Sequence, residues 1–215
     1  MLYLVRITLA MIYFMKKWLF FLLIGFSFAT FASPREIILL RHTDKLAQSE
    51  TGPTLSAKGY VRALKFTYYF LNRFGEPDFV IAGKPKGADS SIRELQTVAP
   101  LVNILAARYP NTGFDILHPY THDEFGELSK YILTDKKFDD ALVLICWRHT
   151  KIVELAKALG VKDKLDPWPD DDYDSVYVIE YTKYGKVARF NILHNQYPIN
   201  SEVTWDDVYN KLNAL

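Results

Sequence analysis

Short apolar runs alternate along this chain with longer segments in which apolar residues recur three and four positions apart. Runs of the first kind predict buried β-strands, and segments of the second kind predict helices with one buried face. The predicted strands are residues 36–40, 78–82, 114–117, 141–147, 175–181 and 186–193. The predicted helices are a segment from about residue 56, then 94–108, 123–133 and 151–159, and a short helix from residue 204. This alternation predicts an α/β domain with a mostly parallel sheet that helices cover on both faces.

Two of the predicted strands end in the same tripeptide, Arg-His-Thr. It occupies residues 41–43 after the first strand and residues 148–150 after the fourth. Right-handed crossovers between parallel strands bring these two loops, and the loop after Ala82, to one edge of the sheet. Ligands of such sheets bind beyond the carboxyl ends of the strands. We therefore predict that the imidazoles of His42 and His149 meet over one ligand.

A third part of the predicted site is Arg93, which stands at the start of the helix that follows the second strand. A helix N-terminus and a guanidinium both direct N–H donors at anions. With Arg41 beside His42, two planar cations flank two imidazoles. Phosphoryl transfer needs such a set, because cations must neutralise the non-bridging oxygens while a nucleophile approaches phosphorus in line.

The first 33 residues differ in composition from the rest of the chain. They contain no acidic residue and three basic ones, and residues 18–32 form an apolar stretch that ends among small side chains. These are the parts of a secretory signal peptide, so we predict an exported protein, periplasmic or secreted. Two alternatives stay open: the stretch remains uncleaved as a membrane anchor, or residues 1–14 lengthen it into a bilayer-spanning segment. Met15 is an alternative start, since Lys16 and Lys17 would then form the basic end of the signal.

Residues 34–215 have the size of one domain with a full hydrophobic core. Removing the three bases of the leader from the chain's 26 leaves 23 bases against 25 acids, which argues against a nucleic-acid binder that works through a broad basic surface. Cys146 is the single cysteine of the chain, which excludes an internal disulfide. The composition leaves the oligomeric state open.

Four segments resemble motifs of the histidine phosphatase superfamily, which includes phosphoglycerate mutases and acid phosphatases. Residues 41–43 resemble its Arg-His-Gly motif, 54–63 its Leu-Thr-x-x-Gly-x-x-Arg/Gln-Ala segment, 90–97 its Ser-x-x-x-Arg-x-x-Gln-Thr segment, and 142–149 its strand ending in a second histidine. The matches occur in the family's order between residue 36 and about residue 160. The resemblance implies a three-layer α/β/α fold and a phosphohistidine intermediate, without a cofactor or a metal.

Carried over residue by residue, the resemblance makes His42 the nucleophile that accepts the phosphoryl group. The phosphate pocket would be lined by Arg41, Arg93 and His149. Asp44-Lys45 resembles the corresponding pair of a subgroup with an Arg-His-x-Asp/Glu-Lys motif, in which Lys45 either contacts the substrate or lies solvated in a loop. Thr43 replaces the usual glycine, so we expect added bulk beside the nucleophile.

The general acid that protonates the leaving group is the least defined part of the predicted site. One branch of the family takes it from the segment after the third strand, where Glu124 is our first choice, with Asp123 and Glu127 as alternatives. Strict alignment places His122 at that position instead. The acids of residues 170–174 are a further source, in a loop expected to lie over the pocket rim.

Two other functions are compatible with parts of the sequence. His118 and His122 stand four residues apart, as in some metal-dependent hydrolases, but Pro119 between them disfavours the regular helix that such ligands need. A domain that binds phosphorylated ligands without catalysis would keep the anion pocket, and Thr43 and the undefined acid favour that alternative. The main prediction is a phosphatase for small phosphorylated substrates, with no nucleic-acid partner and membrane contact only through an uncleaved leader.

Overall fold

The computed structural model describes residues 33–46, 52–87 and 90–197. The predicted leader, apart from Ser33, and the predicted helix from residue 204 lie outside these ranges. Ser33 is buried, and its backbone N–H donates to the Asp139 carboxylate over 2.9 Å, so the chain already packs into the domain at this residue. In the described ranges, no helix combines the length and the apolar character that crossing a bilayer requires.

In the described part of the chain, six strands form one sheet. They are β1 (Glu36–Arg41), β2 (Phe79–Ala82), β3 (Ile116–Leu117), β4 (Leu142–Trp147), β5 (Val176–Tyr181) and β6 (Val187–Leu193). Their spatial order is β3-β2-β4-β1-β5-β6. The first four of this order run parallel, whereas β5 pairs antiparallel with β1 and β6 pairs antiparallel with β5. The predicted mostly parallel sheet is confirmed, and each strand overlaps its predicted segment.

Helices cover both faces of this sheet. Those described are α1 (Ala57–Arg73), α2 (Arg93–Arg108), α3 (Phe125–Thr134) and α4 (His149–Ala158). In β1, Ile38 and Leu40 belong to the core on the side of α1 and α2, whereas Ile37 and Leu39 belong to the core on the side of α3 and α4. Alternate residues of one strand therefore bury against different helices, which is the three-layer α/β/α arrangement.

The two strands that precede the repeated tripeptide are the most deeply buried. Every residue of β4 is buried, and in β1 only Glu36 is partly exposed. Each fully buried Leu, Ile or Val side chain contributes about 1.5–3 kcal/mol, so these strands are firmly fixed in the core. Arg41 pairs with Trp147 across the β1–β4 ladder. The chain consequently leaves both strands at the same level, and His42 and His149 follow side by side.

The helices that flank the predicted site begin at defined caps. α1 begins after Ser56, whose hydroxyl accepts a hydrogen bond from the Gly59 N–H over 3.1 Å. α4 begins at His149, two residues earlier than the predicted 151–159, because the Arg148 carbonyl already accepts from the Lys151 N–H over 2.8 Å. His149 is therefore the first residue of a helix and not a residue of a loop.

Candidate active site

The structure brings the two predicted histidines together at the carboxyl edge of the sheet. The ring centroids of His42 and His149 are 6.4 Å apart, and the ring planes are nearly perpendicular at 85°. The shared register of β1 and β4 accounts for this approach, since one histidine directly follows β1 and the other follows β4 by one residue.

His42 is buried and neutral at physiological pH. Its Nδ1 lies 2.7 Å from the carbonyl oxygen of Thr43, and because a carbonyl can only accept, Nδ1 must carry the proton. Nε2 is then left with a free lone pair. Burial, together with the charges of Arg41 and Arg93, lowers the pKa of His42 to about 4, although Glu94 opposes the shift. In this form the side chain can act as a nucleophile without prior deprotonation.

The Arg41 guanidinium is completely buried, and only part of it has partners. Its Nη1 donates to the carbonyl oxygens of Pro169, Asp170 and Asp172 at 3.0, 2.9 and 3.2 Å. The ring of Tyr173 packs 4.2 Å from the guanidinium carbon. Nε and Nη2 are buried, and neither has an acceptor among residues 33–46, 52–87 and 90–197. Buried unpaired donors on a cation are costly, so these two nitrogens mark a place for an anion.

Arg93 lies at the first residue of α2, as predicted, and is partly buried. Its Nε donates to the carbonyl of Thr54 over 2.9 Å, and its Nη2 donates to the carbonyl of Gly52. Its positive charge is close enough to His42 to lower the pKa of that imidazole. Arg93 therefore contributes charge to the site and also fixes the 52–54 loop beside it.

The two ring nitrogens of His149 differ in their surroundings. Its Nε2 lies 2.9 Å from Oδ1 of Asp170, whose side chain is 93% exposed, whereas its Nδ1 is buried and has no hydrogen-bond partner in the described part of the chain. Burial and the charge of Arg41 lower the pKa of His149, although Asp170 opposes the shift. The charge of Lys45 acts in the same direction as that of Arg41, so this exposed lysine lies on the His149 side of the site.

Thr43 does not crowd the nucleophile, contrary to the expectation from the sequence. Its hydroxyl donates to the carbonyl of Gly59 over 2.8 Å, and its backbone N–H donates to the hydroxyl of Thr97 over 3.0 Å. The extra bulk is thus taken up between α1 and α2. Gly59 itself is required by close packing, because a Cβ at this position would lie 2.2 Å from the carbonyl oxygen of Asp44.

A buried acid–base pair near His42 was largely missed by the sequence analysis. Glu94 is 1% exposed and His122 is 4% exposed, and Nε2 of His122 lies 3.3 Å from Oε1 of Glu94 at an angle too poor for a good hydrogen bond. The His122 ring packs edge-on against Trp147 at 5.4 Å, and the charge of Glu94 acts on His42. The pair therefore lies at the same edge of the sheet as the two site histidines.

Glu94 keeps its ionised form despite its burial. Burial alone would raise its pKa, but the contact with His122 and the proximity of His42 outweigh this effect and lower the pKa of Glu94. The burial of Glu94 was predictable from the sequence. Glu94 shares one helix face with three apolar residues, at positions 98, 101 and 105.

The structure does not give Glu124 the surroundings of a general acid. Its exposed carboxylate accepts hydrogen bonds from the N–H and the hydroxyl of Thr121 at 2.8 and 2.7 Å, and these bonds lower its pKa. A proton donor needs the opposite shift. Asp123 is exposed and pairs with Lys86, and Glu127 is also exposed.

The acids of residues 170–174 have separate roles in the loop. Asp170 contacts His149, as described above. Asp172 accepts from the backbone N–H groups of residues 174 and 175 at 3.3 and 3.0 Å. Asp174 lies 3.2 Å from Nη1 of Arg62, whose Nε lies 2.5 Å from Asp44. The loop therefore lies beside the predicted site residues: the Asp170 carboxylate contacts His149, and the backbone carbonyls of Asp170 and Asp172 accept from Arg41.

The alternative metal site has little support in the geometry. His118 is exposed, whereas His122 is buried against Trp147 and Glu94. Across the residues that the structure describes, no three His, Cys, Asp or Glu side chains lie close enough together to hold a metal ion.

Similarity to known proteins is confined to the fold. No protein-family model matches the sequence, and no curated protein sequence matches it. Among solved structures, the protein histidine phosphatase SixA complexed with tungstate superposes with a TM-score of 0.52 at 15% identity, covering 74% of this chain and 96% of that chain.

Two further structures superpose more loosely. A protein assigned as a SixA phosphohistidine phosphatase from Agrobacterium tumefaciens has a TM-score of 0.42 at 16% identity, with coverage of 74% of this chain and 99% of that chain. Mycobacterial hydrolase 2 has a TM-score of 0.46 at 13% identity, with coverage of 84% and 97%. With TM-scores this low, neither superposition adds evidence about the fold to that from SixA. The protein has the fold of the histidine phosphatase superfamily, as the resemblance of its motifs implied.

Proposed function

We propose that this protein is a phosphatase that hydrolyses phosphate monoesters through a phosphohistidine formed on His42. The observation that carries the proposal is a neutral, buried imidazole beside a buried guanidinium, two of whose donor nitrogens have no acceptor within the described residues. A phosphoryl group satisfies both, because its oxygens accept from Arg41 while its phosphorus faces Nε2 of His42. The fold shared with SixA, a protein histidine phosphatase solved with tungstate, supports the proposal.

The reaction has two balanced steps. In the first, Nε2 of His42 attacks phosphorus, a P–N bond forms, and the bond from phosphorus to the leaving oxygen breaks while that oxygen gains a proton. In the second, water attacks phosphorus and gives its proton to the same group that protonated the leaving oxygen in the first step, while the P–N bond breaks and inorganic phosphate leaves. The hydrogen bond from Nδ1–H to the Thr43 carbonyl stabilises the positive charge on the phosphorylated ring.

Several side chains around His42 are placed to hold the phosphoryl oxygens. Nε and Nη2 of Arg41 donate to two of them, and Arg93 adds positive charge from the start of α2. Nε2–H of His149 is the next donor once the Asp170 carboxylate gives way to a phosphoryl oxygen. Because the Asp170 side chain is almost fully exposed, water readily replaces the contact that it loses. Lys45 lies at the rim of this set.

In this proposal, His122 supplies the proton to the leaving oxygen, with Glu94 as its counter-ion. Both groups are buried at the site edge, and Nε2 of His122 has no good hydrogen bond among the residues that the structure describes. The ionised carboxylate of Glu94 lies 3.3 Å from this nitrogen and is therefore placed as the counter-ion of the imidazole during proton transfer to the leaving oxygen. This role replaces the one that the sequence analysis gave first to Glu124.

The proposal is tested by the hydrolysis of p-nitrophenyl phosphate by the purified protein and its His42→Ala variant. We expect turnover by the wild type without added metal, inhibition by vanadate, and a loss of at least about 1,000-fold in kcat for the variant. His118→Ala, which removes an exposed histidine, is the matched control and is expected to keep wild-type rates.

A non-catalytic phospho-ligand-binding module is the second candidate. The observation that favours it is that the acids after β3 are exposed and engaged elsewhere. If the wild type and His42→Ala are equally inert while the wild type still binds vanadate, this second function is correct and the phosphatase is excluded.

Export belongs to the same proposal and rests on the composition of the first 33 residues. Fractionation of cells that express the full chain, followed by N-terminal sequencing of the recovered protein, tests it. A mature N-terminus near Ser33 in the exported fraction supports cleavage, a membrane-bound full chain supports the anchor, and an intact chain in the cytosol contradicts export.

A further inference from the structure

A groove of about 510 Å³ opens beside His149 and has no role in the phosphoryl chemistry above. It lies between α4 and the segment 165–170. Its apolar walls are formed by Val153, Leu165, Pro167 and Trp168, and His149 and Asp170 form its border. A groove of this volume holds one ring with a few substituents.

The wall of this groove is rigid and is fixed to the phosphate site. Trp168 is 5% exposed, its Nε1 donates to the carbonyl of Asp172 over 2.9 Å, and its ring packs 4.8 Å from that of Tyr177. Arg41 binds the carbonyls of residues 169, 170 and 172 through Nη1. The guanidinium that faces the proposed phosphoryl group thus also holds the groove wall in place.

The groove and the proposed phosphoryl site share His149 as a common wall. The His149 ring is 6.4 Å from that of His42, and its Nε2 contacts Asp170 at the groove border. A phosphoryl group held between the two histidines is therefore within a few bonds of the groove. Its organic substituent must point away from His42 for in-line attack, and the groove offers that substituent an apolar surface.

The charges around the groove limit the substituents that it accepts. Asp170 and Glu154 place carboxylates at the border, and Glu154 is already paired with Lys151 at 3.4 Å. A second phosphate or a carboxylate on the substrate would meet these acids. Lys157 is the cation that also lines the groove, and it is exposed.

We propose that this groove binds the organic part of the substrate and selects monoesters in which one phosphoryl group is attached through oxygen to a flat apolar ring. The proposal rests on the phosphatase function proposed above and names its substrate class. Sugar bisphosphates and phosphorylated sugar acids are excluded as good substrates, because they would bring further anions against Asp170 and Glu154.

The test compares the binding of phenylphosphonate and methylphosphonate, which cannot be hydrolysed, to the full-length protein. Tryptophan fluorescence and calorimetry report binding without any need for activity. We expect phenylphosphonate to bind at least about 10-fold more tightly, since only its ring reaches the apolar walls. Val153→Trp fills the groove and is expected to remove this preference while the affinity for vanadate stays within about 2-fold.

Ala99→Trp is the matched control, because it adds the same ring in a different groove along β3 and should leave the preference intact. Leu165→Ala, which trims the apolar wall, is the second variant if Val153→Trp does not fold, and it should reduce the preference about 3-fold or more. Equal affinities of the wild type for the two phosphonates, or an unchanged preference in the groove variants, would overturn the proposal. If the protein prefers phenylphosphonate but shows no turnover, the phosphatase function is refuted and the proposed binding role of the groove is kept.

Discussion

At His42 a backbone carbonyl fixes the tautomer and burial fixes the charge. The sequence predicted that His42, Arg41 and Arg93 lie together, because strand ends and tripeptides can be read from one chain, and the role of nucleophile proposed for His42 came from the resemblance of the motifs. It could not predict that Nδ1 donates to the Thr43 carbonyl or that the Thr43 side chain turns between two helices. Both depend on the backbone path after β1, which the packing of distant segments determines.

The low pKa of His42 predicts how its ring titrates. The unfolded chain has a histidine pKa of 6.5, and the folded protein lowers it to about 4, so the unfolded state binds this proton first as pH falls. The contribution of the neutral ring to stability is complete above pH 6.5 and is lost as pH falls toward 4. In NMR spectra, assigned through His42→Gln, the His42 ring resonance should stay constant from pH 8 to pH 5.5. A midpoint near 6.5 would contradict the burial argument.

The role proposed for His122 predicts that its loss affects substrates differently, depending on their leaving group. His122→Gln should lower kcat for an alkyl phosphate about 100-fold or more, because its alkoxide must be protonated as it leaves. The same variant should change the hydrolysis of p-nitrophenyl phosphate by less than about 5-fold, since nitrophenolate departs without a proton. A purely structural role would lower both rates together.

Glu124→Gln is the control for this series, because Glu124 lies two residues after His122 and its side chain is exposed. We expect it to leave both rates within about 2-fold of the wild type. A selective loss of alkyl phosphate hydrolysis in Glu124→Gln, with His122→Gln unaffected, would return the role of general acid to Glu124.

At the level of elements, the strands and helices were predictable from periodicity, and the errors lie at their ends. α4 begins two residues early because the first turn forms directly on the carbonyl of Arg148. Glu94 could have been recognised as buried from the helix face that it shares with three apolar residues. The hydrogen bonds from Arg41 to the carbonyls of residues 169, 170 and 172 could not have been predicted, because backbone acceptors are the same for every residue type.

Close packing at the start of α1 predicts a contrast between two glycines. Gly59→Ala places a methyl group against the backbone of Asp44 and should lower the free energy of unfolding by about 2–3 kcal/mol. Gly126→Ala in α3 has open space and should leave stability unchanged or raise it by up to about 1 kcal/mol. Urea denaturation measures both. Equal effects of the two substitutions would show that the approach of α1 to the loop after β1 is looser than described.

The link between Arg41 and the loop predicts that lysine cannot replace it. A lysine ammonium keeps the charge but cannot serve three carbonyl oxygens and a phosphoryl group together. Arg41→Lys should therefore lower kcat/KM at least about 100-fold and change the fluorescence of Trp168. Arg148→Lys, which replaces the exposed arginine of the second tripeptide, is the matched control, and its kcat/KM should stay within about 2-fold of the wild-type value. Wild-type kinetics in Arg41→Lys would refute the proposal that Arg41 donates hydrogen bonds to the phosphoryl oxygens.

At the scale of the whole molecule, the sheet order explains why four separated motifs act together. β4 lies between β1 and β2, so the loops after all three strands meet at one edge, with α2 starting beside them. The order of motifs along the chain was enough to predict this fold. The groove beside His149 was not predictable, because its walls come from α4 and from a loop whose path is set by Arg41 and Trp168.

The most direct test of the account is to trap the covalent intermediate. The protein is mixed with a ³²P-labelled phosphate ester, quenched in denaturant, and digested so that the labelled peptide can be sequenced. A phosphohistidine at position 42 predicts label that is stable in base, labile in acid, and located on His42, with none in His42→Ala. Label on His149, or turnover by the wild type without any labelled histidine, would contradict it.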